Sequence, residues 1–363
     1  MERRIDVRQL TALLTLFMIA QFTGLLLVYV SFPAASLSQL AAQSQQQPQL
    51  AASSYLLIFA AEIVVIILVL MFVVRSSKGK NFFALAEAYI ILLGSFFFFL
   101  IILSDLFPYL SSVELEVASG LCAIAIYLLK RRKSLNTQTF RNIITILSSI
   151  GVGIFIGVSI GSQFGVLVLY AILGIFAIYD YLAVFVLKFM IPMAKHAASM
   201  NLAFMIGSSE LELHPKTNMK KAQYTAADIK SIKNPSIRKL IKAGNMPAVS
   251  SVMLGNGDIM LPLLVSSGAY VFTGSISLAL AITVGAIFGL IATFWIIRRY
   301  MIGLPAIPPI FAFVSISLAV FYLASGVQDL IIWVYILSAV VSIAAMYFAV
   351  RRAGSTTGPT SAK

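Results

Sequence analysis

Ten stretches of the chain stay apolar for about the 20 residues that a helix needs to cross the hydrocarbon core of a bilayer. They run over 9–30, 55–74, 81–103, 109–129, 142–160, 164–187, 247–271, 275–297, 304–324 and 329–350. Nothing else in the sequence narrows the fold so far. Inside hydrocarbon a backbone must satisfy its own hydrogen bonds, so such runs fold as helices packed against one another. The predicted fold class is all-α, a polytopic transmembrane helical bundle of nine to ten spans. Composition agrees: 60% of the 363 residues are hydrophobic and 11% are charged, more apolar surface than a soluble domain can hide. The first run is too long and too weakly punctuated for a cleaved signal peptide and is read as a retained span.

The basic residues fix an orientation. All 26 Lys and Arg lie before span one, in every second connection after it, or beyond span ten. The remaining connections hold none. Cytoplasmic connections keep the positive charge, so the amino terminus and the 188–246 connection are predicted to be cytoplasmic in a multi-pass cell-membrane protein. The net charge of +13 thus reflects topology, and no nucleic acid is expected as a partner. Cys122 is the sole cysteine and falls inside a span, which leaves no internal disulfide and no cysteine metal site. No cofactor and no metal are expected.

Two long connections divide the chain. Residues 31–54 are polar, uncharged and rich in Gln and Ser. The 188–246 connection carries helix signals: Thr225 with Asp228, Pro235 at a start and Gly244 at an end. They fit a basic helix on the inner leaflet or an ordinary solvated helix. The predicted organisation is a six-span part at 1–190, a basic loop at 191–246, a four-span part at 247–350 and a disordered tail at 351–363. Gly153, Gly157 and Gly161, four residues apart in span five, read as a close-packing face. The chain has no strong internal repeat, which weighs against many secondary transporters.

Four carboxylates fall well inside spans: Glu62, Glu87, Asp180 and Asp258. A charge at that depth costs at least about 2.5 kcal/mol on insertion scales, and no Lys or Arg lies deep in a span to pair with any of them. Asp180 sits near the cytoplasmic end of span six and Asp258 part-way along span seven. At about 1.5 Å per residue these positions lie roughly 10 and 16 Å below the same face, so two antiparallel neighbours can set them side by side. Glu62 and Glu87 match less well and read as structural hydrogen-bonding groups.

Two close carboxyls do not both ionise easily; they share a proton and titrate as a pair. The ionised member can take a proton from water while the protonated member donates to a carbonyl oxygen, which is acid–base hydrolysis without a covalent intermediate. Other hydrolytic designs fail for want of residues. His196 and His214, the only histidines, lie in the cytoplasmic connection, so a Ser–His pair within the membrane and an HExxH zinc site are excluded. Around Asp258 the stretch is "VMLGNGDIMLP", with Leu254, Gly255, Asn256 and Gly257 leading into it. Glycine there loosens the helix and lets backbone or substrate come close. Tyr179 precedes Asp180. "LPAIPPI" opens span nine with Pro305, Pro308 and Pro309, which leaves carbonyls without helical donors and points to an irregular segment lining a cavity.

These residues resemble the presenilin and signal peptide peptidase family of intramembrane aspartyl proteases. "YD" in span six, G-x-G-D in span seven and a proline-alanine motif opening span nine occur in the family's order and on its spans. The resemblance implies a presenilin-like fold and an aspartic endopeptidase acting on transmembrane segments of membrane proteins in the lipid bilayer. It implies that Asp180 and Asp258 are the catalytic pair. Gly255 and Gly257 match the second motif, and Pro305, Ala306 and Ile307 match a motif beside the active site. Asn256 and Ile307 stand where the family usually has leucine, which affects the expected substrate preference. A tenth span exceeds the usual nine. The orientation derived from charge resembles presenilins, since signal peptide peptidases are inverted.

From another class, a proton- or cation-coupled transporter using the two Asp as relay groups explains buried carboxylates but not the three motifs together. A non-catalytic scaffold explains still less. A protease must unwind its helical substrate, and strand addition would replace the lost bonds. Apolar 201–207 and 249–255 are expected to supply an edge for this, with carbonyls of 304–309 opposite. The competing reading makes 201–207 a membrane-surface loop.

Overall fold

A computed structural model describes residues 7–33, 61, 79–132, 137–187, 205–214, 246–300, 304–327 and 329–356. Its helices are α1 (Val7–Ser31), α2 (Gly79–Leu106), α3 (Ser112–Arg131), α4 (Gln138–Phe164), α5 (Val166–Tyr181), α6 (Asn256–Thr273), α7 (Ile276–Tyr300), α8 (Ile307–Ala324) and α9 (Leu330–Thr356). Two strands, β1 (Met205–His214) and β2 (Met246–Gly255), pair antiparallel between α5 and α6. Apart from that hairpin the fold is an all-α polytopic bundle. Among the described residues, eight helices are long and apolar enough to cross a membrane. They match eight of the predicted spans. Span two apart from residue 61, Glu62, residues 34–54 of the first connection and the predicted helix signals at 225–244 lie outside the described residues.

Local sequence explains the punctuation. Ser111 and Glu114 form a reciprocal cap at the start of α3: the Ser111 N–H donates to Glu114 Oε2 at 2.8 Å and the Glu114 N–H to Ser111 Oγ at 3.4 Å. Gly165 separates α4 from α5 at φ +79°, a conformation that favours glycine. Side chains such as Leu85, Leu330 and Trp333 are exposed, as expected where a bundle faces lipid.

Among the described residues, α6 is the one helix outside these eight. It is the central helix, packed by α1, α4, α5 and α7, with an almost unbroken buried run from Ile259 to Val271. A helix shielded by other helices has no need of a lipid-facing stripe. The predicted glycine face of α4 makes this packing possible. Side chains at Gly157 or Gly161 would collide with the α6 backbone at Leu264 and Gly268.

Two expectations change. Residues 247–255, predicted as the first turns of a helical span, are strand β2, and the helix begins at Asn256. Val249 and Val252 suit an extended ribbon, and β1 supplies the partner. At the other end α9 continues to Thr356, into the stretch expected as a disordered tail.

Candidate active site

Asp180 is the penultimate residue of α5, just before the helix widens into one π-turn at Leu182–Val186. Such turns recur at functional sites. Asp258 lies in the first turn of α6. The two carboxyls therefore come from the end of one helix and the start of another. Because 247–255 is extended rather than helical, Asp258 stands at a helix start rather than part-way along a span. The side chains lie within electrostatic reach of each other. Asp180 is 3% exposed, and Asp258 is half-buried.

Each carboxyl is held by backbone. The Ile307 N–H donates to Asp180 Oδ2 at 3.2 Å, and the backbone of Ala306 bonds to the same carboxyl. These donors are free because α8 starts only at Ile307; the first N–H groups of a helix have no internal partner. The irregular proline segment thus meets Asp180 directly. Pro305, Ala306 and Ile307 are all buried there. The Gly255 N–H donates to Asp258 Oδ2 at 3.1 Å.

The other predicted residues gather at the same place. Tyr179 is half-buried and within electrostatic reach of Asp180. Leu254 is buried and faces Ile206 in the hairpin register. Asn256 accepts a close hydrogen bond from the Ser149 hydroxyl of α4. A side chain at Gly257 would meet no atom within 4 Å. The pairing of Met205 with Gly255 carries β1 to the threshold of the site.

Sequence reasoning missed four supporting residues. Ser149 ties α4 to Asn256, and Gln21 of α1 donates to the Ile259 carbonyl at 2.7 Å. Pro262 has no N–H for the Asp258 carbonyl, so Gln21 braces a turn that proline has loosened. Asn142 and Gln138 of α4 bond to Gly207 of β1. For Ser149 and Gln21 a readable signal exists, an uncharged polar residue inside an apolar run. The expectation that no cation pairs with the intramembrane carboxylates fails for Glu87. Lys130 at the end of α3 reaches its Oε2 at 2.5 Å, because a long side chain can fold its stem along a helix to a buried partner.

Compared with the curated proteins, the chain has no match. The family profile described as signal-peptide peptidase, presenilin aspartyl protease matches residues 14–326. That stretch takes in both aspartates, the hairpin and the proline segment, and the chain belongs to this family of multi-pass membrane proteases.

Proposed function

We propose that Asp180 and Asp258 form the catalytic pair of an endopeptidase that hydrolyses peptide bonds within transmembrane helices, with water as the nucleophile. The observation that carries this reading is convergence. Three sequence segments far apart in the chain meet at one carboxyl pair, with the α8 N-terminus bonded to Asp180 and the last residue of β2 bonded to Asp258. One carboxylate takes a proton from water, the other carboxyl donates to the scissile carbonyl, and the roles reverse as the amine leaves.

A substrate helix hides its carbonyls in its own hydrogen bonds and must open to be cut. The hairpin offers the edge on which an opened segment can pair. β1 and β2 satisfy each other, so the docking edge is an outer edge of the pair rather than either apolar stretch alone. The free space at Gly257 leaves room for substrate beside Asp258. In this reading the amino terminus and the 188–246 connection are cytoplasmic, as the bias of Lys and Arg to alternate connections supports.

The test is cleavage of a transmembrane-helix reporter by purified protein in liposomes, with Asp258→Ala as control. Wild-type cleavage that the substitution removes supports the proposal. An intact reporter, with proton or cation flux that depends on Asp258, refutes it in favour of a relay.

A further inference from the structure

α9 is the predicted tenth span, one more than the family's usual nine, and it buries a single seam. Ile332, Tyr335, Ala339, Ser342 and Met346 recur at alternate steps of three and four residues and are buried, while Trp333, Leu337 and Val340 between them are exposed. The seam packs on α8. Tyr335 also reaches α5: its ring stands edge-on to Tyr170 with centroids 4.8 Å apart, and it stacks on Tyr322 of α8 at 5.8 Å. The extra span thus touches both the helix that carries Asp180 and the helix whose start meets that carboxyl.

Within that seam Ser342 makes a directed contact. A serine in a membrane helix commonly bonds back to its own backbone, as Ser338 does to the Val334 carbonyl at 2.7 Å. Ser342 instead crosses to α8, where its hydroxyl donates to the Pro308 carbonyl at 2.9 Å. Pro308 shares the first turn of α8 with Ile307, whose N–H donates to Asp180 Oδ2 at 3.2 Å. That turn is weakly tied by its own backbone. Pro308 and Pro309 have no N–H to return to residues 304 and 305. The first helical bond runs from the Ile310 N–H to the Ala306 carbonyl at 3.2 Å. α7 also packs on this turn, since a Cβ at Gly289 would stand 2.4 Å from the Ile310 Cα. Such a contact limits how near the turn lies. A hydrogen bond to a carbonyl also sets how the turn is rotated.

We propose that Ser342 is a positioning residue for the reaction: its bond to the Pro308 carbonyl sets the first turn of α8 so that the Ile307 N–H stays aimed at Asp180. This rests on the proteolytic reading above. An N–H aimed at a carboxylate favours the ionised form. With the turn free to rotate that donation weakens, and the doubly protonated, inactive pair forms more readily. The acid limb of the rate profile then moves to higher pH. Among the described residues, Asp258 and Tyr179 are the titratable groups facing Asp180, and the substitutions below leave both in place. Loss of folded enzyme lowers the rate at every pH alike and leaves the limb where it was.

The experiment measures kcat/KM against pH for a transmembrane-helix reporter with full-length wild type, Ser342→Ala, Ser342→Thr and Ser342→Val in liposomes. Thr keeps the hydroxyl, and Val has the shape of Thr without it. Ser342→Ala and Ser342→Val should each lower kcat/KM at the optimum about fivefold, the worth of roughly one hydrogen bond. Both should move the acid limb up by about half a pH unit, part of what one weakened backbone donor gives. Ser342→Thr should stay within about twofold of wild type, with the limb in place. A wild-type profile in Ser342→Ala, a lower rate with an unmoved limb, or equal losses in Ser342→Thr and Ser342→Val overturn the proposal. If Ser342→Ala cannot be recovered folded, the Thr and Val pair decides by the same criterion. A wild type that leaves the reporter intact at every pH removes the proteolytic reading and this inference with it, whereas wild-type cleavage with unaltered variants removes only the inference.

Discussion

Replacing Gly161 by Ala tests how tightly α4 fixes the helix that carries Asp258. A Cβ at this position would stand 2.5 Å from the Gly268 carbonyl oxygen and 2.6 Å from the Gly268 Cα. Carbon atoms settle at about 3.5–4.0 Å from their neighbours, so α4 and α6 must part by about 1 Å. Both sides of the contact are backbone and cannot turn aside. Overpacking of this kind costs about 1–3 kcal/mol. A shift of about 1 Å at a reacting group costs up to about 100-fold in rate, and part of the shift dissipates along α6, so kcat/KM should fall about 10- to 100-fold. Gly120 of α3 is the matched control, since a Cβ there meets no atom within 4 Å. Gly120→Ala should keep full activity and gain about 0.5–1 kcal/mol from helix propensity. The assay is reporter cleavage by purified enzyme in liposomes, with thermal unfolding followed in parallel. If Gly161→Ala cleaves and melts like Gly120→Ala, the reasoning from close α4–α6 packing is wrong.

Three further outcomes follow from the same geometry. The rate should be bell-shaped in pH, falling on the acid side when both carboxyls are protonated and on the alkaline side when both are ionised; a steady rise with pH across the folded range contradicts a shared proton. Glu87→Gln leaves Lys130 facing a neutral group where both partners are largely buried, and should destabilise the protein by about 3 kcal/mol, read as a lowered Tm that Lys130→Met partly restores. A cysteine placed within 42–48 should react with an impermeant reagent from outside, and one within 216–222 only after permeabilisation; outside labelling of the second inverts the orientation read from charge.

The span positions were legible because hydrocarbon imposes a simple rule on length and polarity, and the α4 glycines were legible because their spacing is helical. The aspartates stood out because a carboxylate inside an apolar run has so few explanations. The hairpin was half-legible: 201–207 and 249–255 read as edges, but mutual pairing depends on where the chain returns from the intervening connection, which no local pattern encodes. Residues 247–255 misled because an apolar run of that length fits a buried strand as well as a helix. Lys130 lies just beyond span four and Glu87 within span three, so their ion pair depends on how α2 and α3 face each other. Asn142 was invisible for a similar reason, because its role lies in matching a backbone edge that only the folded hairpin creates.

The central claim is that Asp180 and Asp258 work as one unit. The most direct measurement is the cleavage rate of Asp180→Asn and of Asp258→Asn, each purified, reconstituted and shown by thermal unfolding to be folded like wild type. Neither carboxyl can serve alone as both acid and base, so each single substitution should abolish cleavage of the helix reporter. If either folded variant retains more than about a hundredth of the wild-type rate, well above the residue expected when one member of a catalytic unit is removed, the shared-proton account is contradicted.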